Sequence, residues 1–72
     1  MPRTKDPRYQ RMLDRLRKAR EAAGLTQHAA SLALGRYPTF VNKIETGERR
    51  IDPVELVDLA RLYGRALDDF VP

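Results

Sequence analysis

Very few residues in this chain can do bond-making chemistry. It has no cysteine and a single histidine, His28. Thiolate metal sites, disulfides and Cys-based nucleophiles are therefore excluded. No Ser/His/Asp arrangement, phosphate-cradling glycine loop or histidine–carboxylate cluster is present. No catalytic residue, cofactor or metal is expected, and so short a chain has little room for a small-molecule pocket. What remains is recognition chemistry, concentrated in Gly35–Arg50, GRYPTFVNKIETGERR. At about 100° per residue, a helix here puts Val41, Ile44 and Glu45 on one side. Thr39, Lys43 and Thr46 point the other way, flanked by Phe40 and Asn42. A helix fits the DNA major groove, where each base pair presents a distinct donor and acceptor pattern. Lys43 can donate to guanine O6 or N7, and Thr39 can bond a base or set its methyl against thymine. Asn42 can reach an adenine edge or a phosphate. Phe40 suits either a thymine methyl or sugar, or burial against the preceding helix. Arg36, in the turn, suits either a phosphate or solvent.

The elements around this stretch must position it. Pro38 fits a first helical position, Tyr37 is pushed toward extended geometry, and Gly35 and Gly47 can close the helices they follow. The expected reading helix spans 38–46, and the short glycine-containing connection before it makes a tight helix-turn-helix. Upstream, Tyr9, Leu13, Leu16, Arg20 and Ala23 lie at helical spacing, so a first helix is expected from about Pro7 to Ala23. Thr26 is a good N-cap for a short second helix over Gln27 to Leu34, with Ala30, Ala33 and Leu34 facing inward. Asp52, Pro53 and Glu55 form the clearest start signal, for a helix running to about Tyr63 with Leu56, Leu59, Ala60 and Tyr63 as its apolar face. Leu67, Phe70 and Val71 fit a last short helix or turn. No segment alternates with a two-residue period, so the expected fold is all-α, a compact bundle of five short helices. Residues 1–7 read as a flexible basic arm and 8–72 as one domain.

Two charges fall where apolar residues belong: Arg20 on the stripe of the first helix and Glu45 on the inner face of the third. Ionised side chains are rarely buried unless paired, so the two are expected to meet. Tyr9 and Tyr63, on apolar faces, read as core or interface residues. His28 reads as a surface side chain or a DNA-backbone contact.

The net charge is +4. Residues 1–20 hold eight Lys/Arg against two Asp/Glu, while residues 51–72 hold two against five. This asymmetry suits a polyanion partner. The absence of a signal-peptide h-region or membrane-length apolar run points to the cytoplasm and to no membrane partner.

The ordered set Arg20, Gly24-Leu25-Thr26-Gln27, Leu34-Gly35, Val41, Ile44-Glu45, Gly47, a basic pair and a capped fourth helix resembles the Cro/cI-type (XRE) helix-turn-helix family. The resemblance covers about Leu13 to Val71 and implies a five-helix, lambda-repressor-like fold whose second and third helices bind DNA. It implies base contacts from Pro38, Thr39 and Lys43, with Asn42 beside them. It also implies that Gln27 touches the DNA backbone and braces the next helix, and that Arg49 and Arg50 touch phosphates. Thr26 and Thr46 are counted with Arg36 and Phe40 among the backbone contacts. The Arg20–Glu45 pair corresponds to a buried ion pair in some members. Three residues depart from the family pattern. Ala30 and Ser31 replace a usual leucine and alanine, which suggests looser packing of the second helix. Pro38 replaces a common polar base reader, which shifts readout to its neighbours.

The expected function is a sequence-specific transcriptional regulator, most simply a repressor, that binds palindromic double-stranded DNA as a homodimer. Leu67, Phe70 and Val71 are the expected dimer interface. The alternative is an antitoxin or other protein-interaction module whose DNA binding is autoregulatory; only residues 1–11 are available for such a partner.

Overall fold

The computed structural model describes residues 6–71. Four α-helices and one 3-10 turn account for its regular structure: α1 (Pro7–Ala22), α2 (Gln27–Ala33), α3 (Phe40–Glu45), α4 (Pro53–Tyr63) and the turn Leu67–Asp69. The expected arm falls mostly outside the described residues, and its last two residues open α1. Asp6 is the N-cap, accepting the Arg8 N–H at 2.8 Å, and Pro7 takes the first helical position, where its missing N–H costs nothing.

Met12, Leu13, Leu16, Ala19 and Arg20 form the buried stripe of α1. Ala23, expected on that stripe, is the exposed C-cap residue instead. The Thr26 hydroxyl caps α2 as its type predicts, accepting from the Ala29 N–H at 3.0 Å. Within α2 the buried residues are Ala30 and Ser31, whereas Ala33 is exposed. Asp52 and Glu55 complete a reciprocal capping box at the head of α4, and Gly64 closes it in the left-handed conformation, φ 70°.

The fifth expected helix is a single 3-10 turn. Gly64 closes α4, and the segment after it makes only i→i+3 bonds, the Asp69 N–H on the Ala66 carbonyl and the Phe70 N–H on the Leu67 carbonyl, both at 3.0 Å. Phe70, just beyond that turn, drops into the core at 1% exposure beside Leu16, Phe40, Ile44 and Leu59. α3 packs on both α1 and α2, and α1 also packs on α4. The Tyr9 hydroxyl accepts the Ile51 N–H at 3.1 Å, tying the start of α1 to the segment before α4.

Candidate nucleic-acid interface

The third helix, α3, begins two residues later than its sequence suggests. Tyr37 to Phe40 form a turn closed by the Phe40 N–H on the Tyr37 carbonyl at 3.0 Å. Pro38 lies second in that turn, and Thr39 (φ −98°, ψ 11°) has the geometry of the third residue of a type I turn. The fixed φ of proline suits this position as well as a first helical one. Thr39 is then the N-cap residue of α3, and its side chain makes no capping bond. The cap comes from another helix. Ser31 of α2 is wholly buried; its hydroxyl donates to the Gln27 carbonyl at 2.8 Å and accepts the Val41 N–H at 3.0 Å. One orphan donor of α3 is thereby satisfied, and the helix is locked to α2. Ser31 thus fixes the unit that its departure from the family's alanine suggested would be loose.

The inner face of α3 is held by a continuous polar network. Arg20 Nε donates to Glu45 Oε2 at 2.7 Å and its Nη2 to Oε1 at 3.1 Å. The side chains are 10% and 6% exposed. Arg20 also donates to the Leu25 carbonyl at 2.8 Å. The hydrogen bond to Glu45 raises the Arg20 pKa above its ordinary value. Gln27 Nε2 donates to Glu45 Oε1 at 2.8 Å, and Asn42 Nδ2 donates to Gln27 Oε1 at 3.1 Å. Gln27 therefore braces α3 at two points, and the Asn42 amide nitrogen points into the brace. Val41 and Ile44 are buried beside this network.

On the outer face, Pro38, Thr39 and Thr46 are exposed. Lys43 is partly exposed, its ammonium 3.0 Å from Glu48. The Thr46 hydroxyl donates to the Lys43 carbonyl at 3.3 Å. Thr26 and His28 are exposed at the start of α2.

Below α3 lies a second charged cluster, which sequence reasoning missed. Glu55 is buried and accepts two bonds from Arg49, at 2.7 and 2.6 Å, with Arg36 at 3.5 Å. The Arg36 and Arg49 guanidiniums lie 4.6 and 5.0 Å from the centre of the Phe40 ring, and Tyr37 meets that ring edge-on. The Arg49 bond holds the Glu55 carboxyl below its ordinary pKa. Glu55 falls four residues before Leu59, on the apolar stripe of α4, so its position carried the same signal as Glu45. Its part in the capping box concealed that signal.

Burial corrects two expectations, those for Phe40 and Phe70. Phe40 is 1% exposed and has no surface to offer a sugar, base or phosphate. Arg49 is bound bidentately to Glu55 and anchors α4 to the end of α3. Arg50 is exposed, over the Tyr9 ring at 5.2 Å. Phe70 is a core residue and is unavailable to a partner, whereas Leu67 and Val71 are exposed.

No group of His, Cys, Asp or Glu among the described residues is arranged to hold a metal ion. No helix there is long and apolar enough to cross a membrane. No curated protein matches the chain at a significant level. A family model described as a helix-turn-helix domain matches residues 11–70, nearly the whole described fold. The chain belongs to the helix-turn-helix domain family of the XRE/Cro type.

Proposed function

We propose that this protein is a sequence-specific double-stranded-DNA-binding transcriptional regulator, a repressor that occupies a palindromic operator as a homodimer. The observation that carries this reading is the unlike treatment of the two faces of α3. Its inner face is immobilised by Arg20, Glu45, Gln27 and Ser31. Its outer face presents Thr39, with no capping bond, and the Lys43 ammonium. A rigid helix with donors on its free side suits the major groove.

In this reading Lys43 donates to guanine and Thr39 contacts a base edge or a thymine methyl. Pro38 has no donor and contributes apolar contact, with Asn42 bracing and lying alongside. Thr26, Gln27, Arg36, Thr46 and Arg50 face the phosphates, which set register without reading sequence. One such helix reads only a few base pairs, so two copies on half-sites about 34 Å apart are the expected unit. Exposed Leu67 and Val71 are the proposed contact between copies.

Fluorescence anisotropy with a random duplex and with one selected from a randomised library tests the proposal. Affinity should fall steeply with salt on both duplexes, as phosphate contacts require. The selected duplex should bind tighter. Binding indifferent to sequence and salt would overturn the reading.

A further inference from the structure

Lys43, the one cation projecting from the middle of the outer face of α3, does not stand alone. After α3 the chain reverses at Gly47, φ 83°. The reversal is pinned on both sides of Glu48, by the Gly47 N–H on the Ile44 carbonyl at 3.1 Å and the Arg49 N–H on the Lys43 carbonyl at 3.0 Å. Arg49 is itself anchored on Glu55. Glu48 is thus delivered to the outer face by fixed backbone, and its carboxylate meets Lys43 Nζ at 3.0 Å. The side chains are 37% and 63% exposed, so the pair lies on the surface proposed to meet DNA.

We propose that Glu48 is a specificity-determining residue of that surface, acting with Lys43 as an acceptor–donor pair matched to a G·C pair; the inference rests on the DNA-binding reading above. An exposed ion pair is weak and readily exchanged. Against phosphates alone the exchange is unfavourable, because Lys43 must leave Glu48 and the carboxylate is carried toward a polyanion. A G·C pair in the major groove suits both groups: guanine O6 and N7 accept from the ammonium, and cytosine N4 donates to a carboxylate. Glu48 therefore weakens docking on arbitrary sequence and leaves cognate binding favoured.

The test is E48Q, which keeps the shape and removes the charge at an exposed position. It is titrated by anisotropy against a random duplex and against the duplex that wild type selects from a randomised library. E48Q should bind the random duplex about fivefold tighter at low salt, with a log–log salt slope steeper by about one. The selected duplex should gain less or lose affinity, so the ratio between duplexes falls. In a K43A background the change in ratio should shrink, because the donor half of the pair is gone. An unchanged random-duplex affinity and slope, equal tightening on both duplexes, or an undiminished effect in K43A would overturn the role of Glu48. Failure of wild type itself to bind any duplex in a salt-dependent way would instead overturn the DNA reading and this role with it.

Discussion

Arg20 on α1 and Glu45 on α3 are joined by two charge-assisted hydrogen bonds, of 2.7 and 3.1 Å, in a nearly dry site. The contact spans twenty-five residues of sequence and fixes α3 against α1, the longest described helix. Removing one partner leaves the other charge buried and uncompensated. Glu45→Ala should lose about 3–5 kcal/mol of stability, a large part of what so small a domain has. Urea denaturation measures this directly; a loss below about 1 kcal/mol would mean the pair is solvated in solution.

Ser31→Ala tests the cap that α2 supplies to α3. Alanine fits the site, yet it leaves the Val41 N–H buried without an acceptor, at a cost of about 1–3 kcal/mol. Thermal unfolding should report the loss, and hydrogen exchange should show the Val41 amide losing protection. Unchanged protection would show that another acceptor replaces the hydroxyl.

Tyr63 runs the other way. Its hydroxyl is buried with no hydrogen-bond partner among the described residues, and desolvation pushes its pKa well above the ordinary value. Tyr63→Phe removes an unsatisfied polar atom and leaves the ring, so stability should hold or rise by up to about 1 kcal/mol. A clear loss of stability would reveal a solvent-mediated partner for the hydroxyl.

Glu55 links stability to pH. Its folded pKa lies below the ordinary 4.5, chiefly through the Arg49 hydrogen bond. A depressed carboxyl stabilises the fold fully above its unfolded pKa, and the contribution disappears as pH falls through the folded value. Glu55→Gln should therefore be less stable than wild type by about 1–3 kcal/mol at neutral pH. The gap should narrow as pH drops below about 4.5. Urea denaturation across that range measures the gap, and a pH-independent difference would assign the loss to packing alone.

The long-period features of this fold were legible in the chain. Arg20 and Glu45 stood out because each interrupts an apolar stripe, and the Asp52-Pro53-Glu55 start signal has few other meanings. Four features were not. Ser31 is a small polar residue on a seven-residue helix, too short for its buried side to be read from periodicity. Pro38 satisfies a turn and a helix start equally, so the beginning of α3 depended on the Tyr37–Phe40 hydrogen bond. Phe70 follows a three-residue turn, where nothing in the spacing tells a core side chain from an exposed one. Arg36 and Arg49 read as free cations because their carboxylate, Glu55, already had a role in capping α4.

In the proposed function the outer face of α3 contacts base edges, and a selection from a randomised duplex library with wild type, Lys43→Ala and Arg50→Ala tests this. Lys43→Ala should relax preference at one base pair in each half-site, losing about 1–3 kcal/mol of discrimination there. Arg50→Ala should weaken all sequences about equally and leave the selected motif intact. A Lys43→Ala protein that selects the wild-type motif while Arg50→Ala changes it would contradict the assignment of the faces.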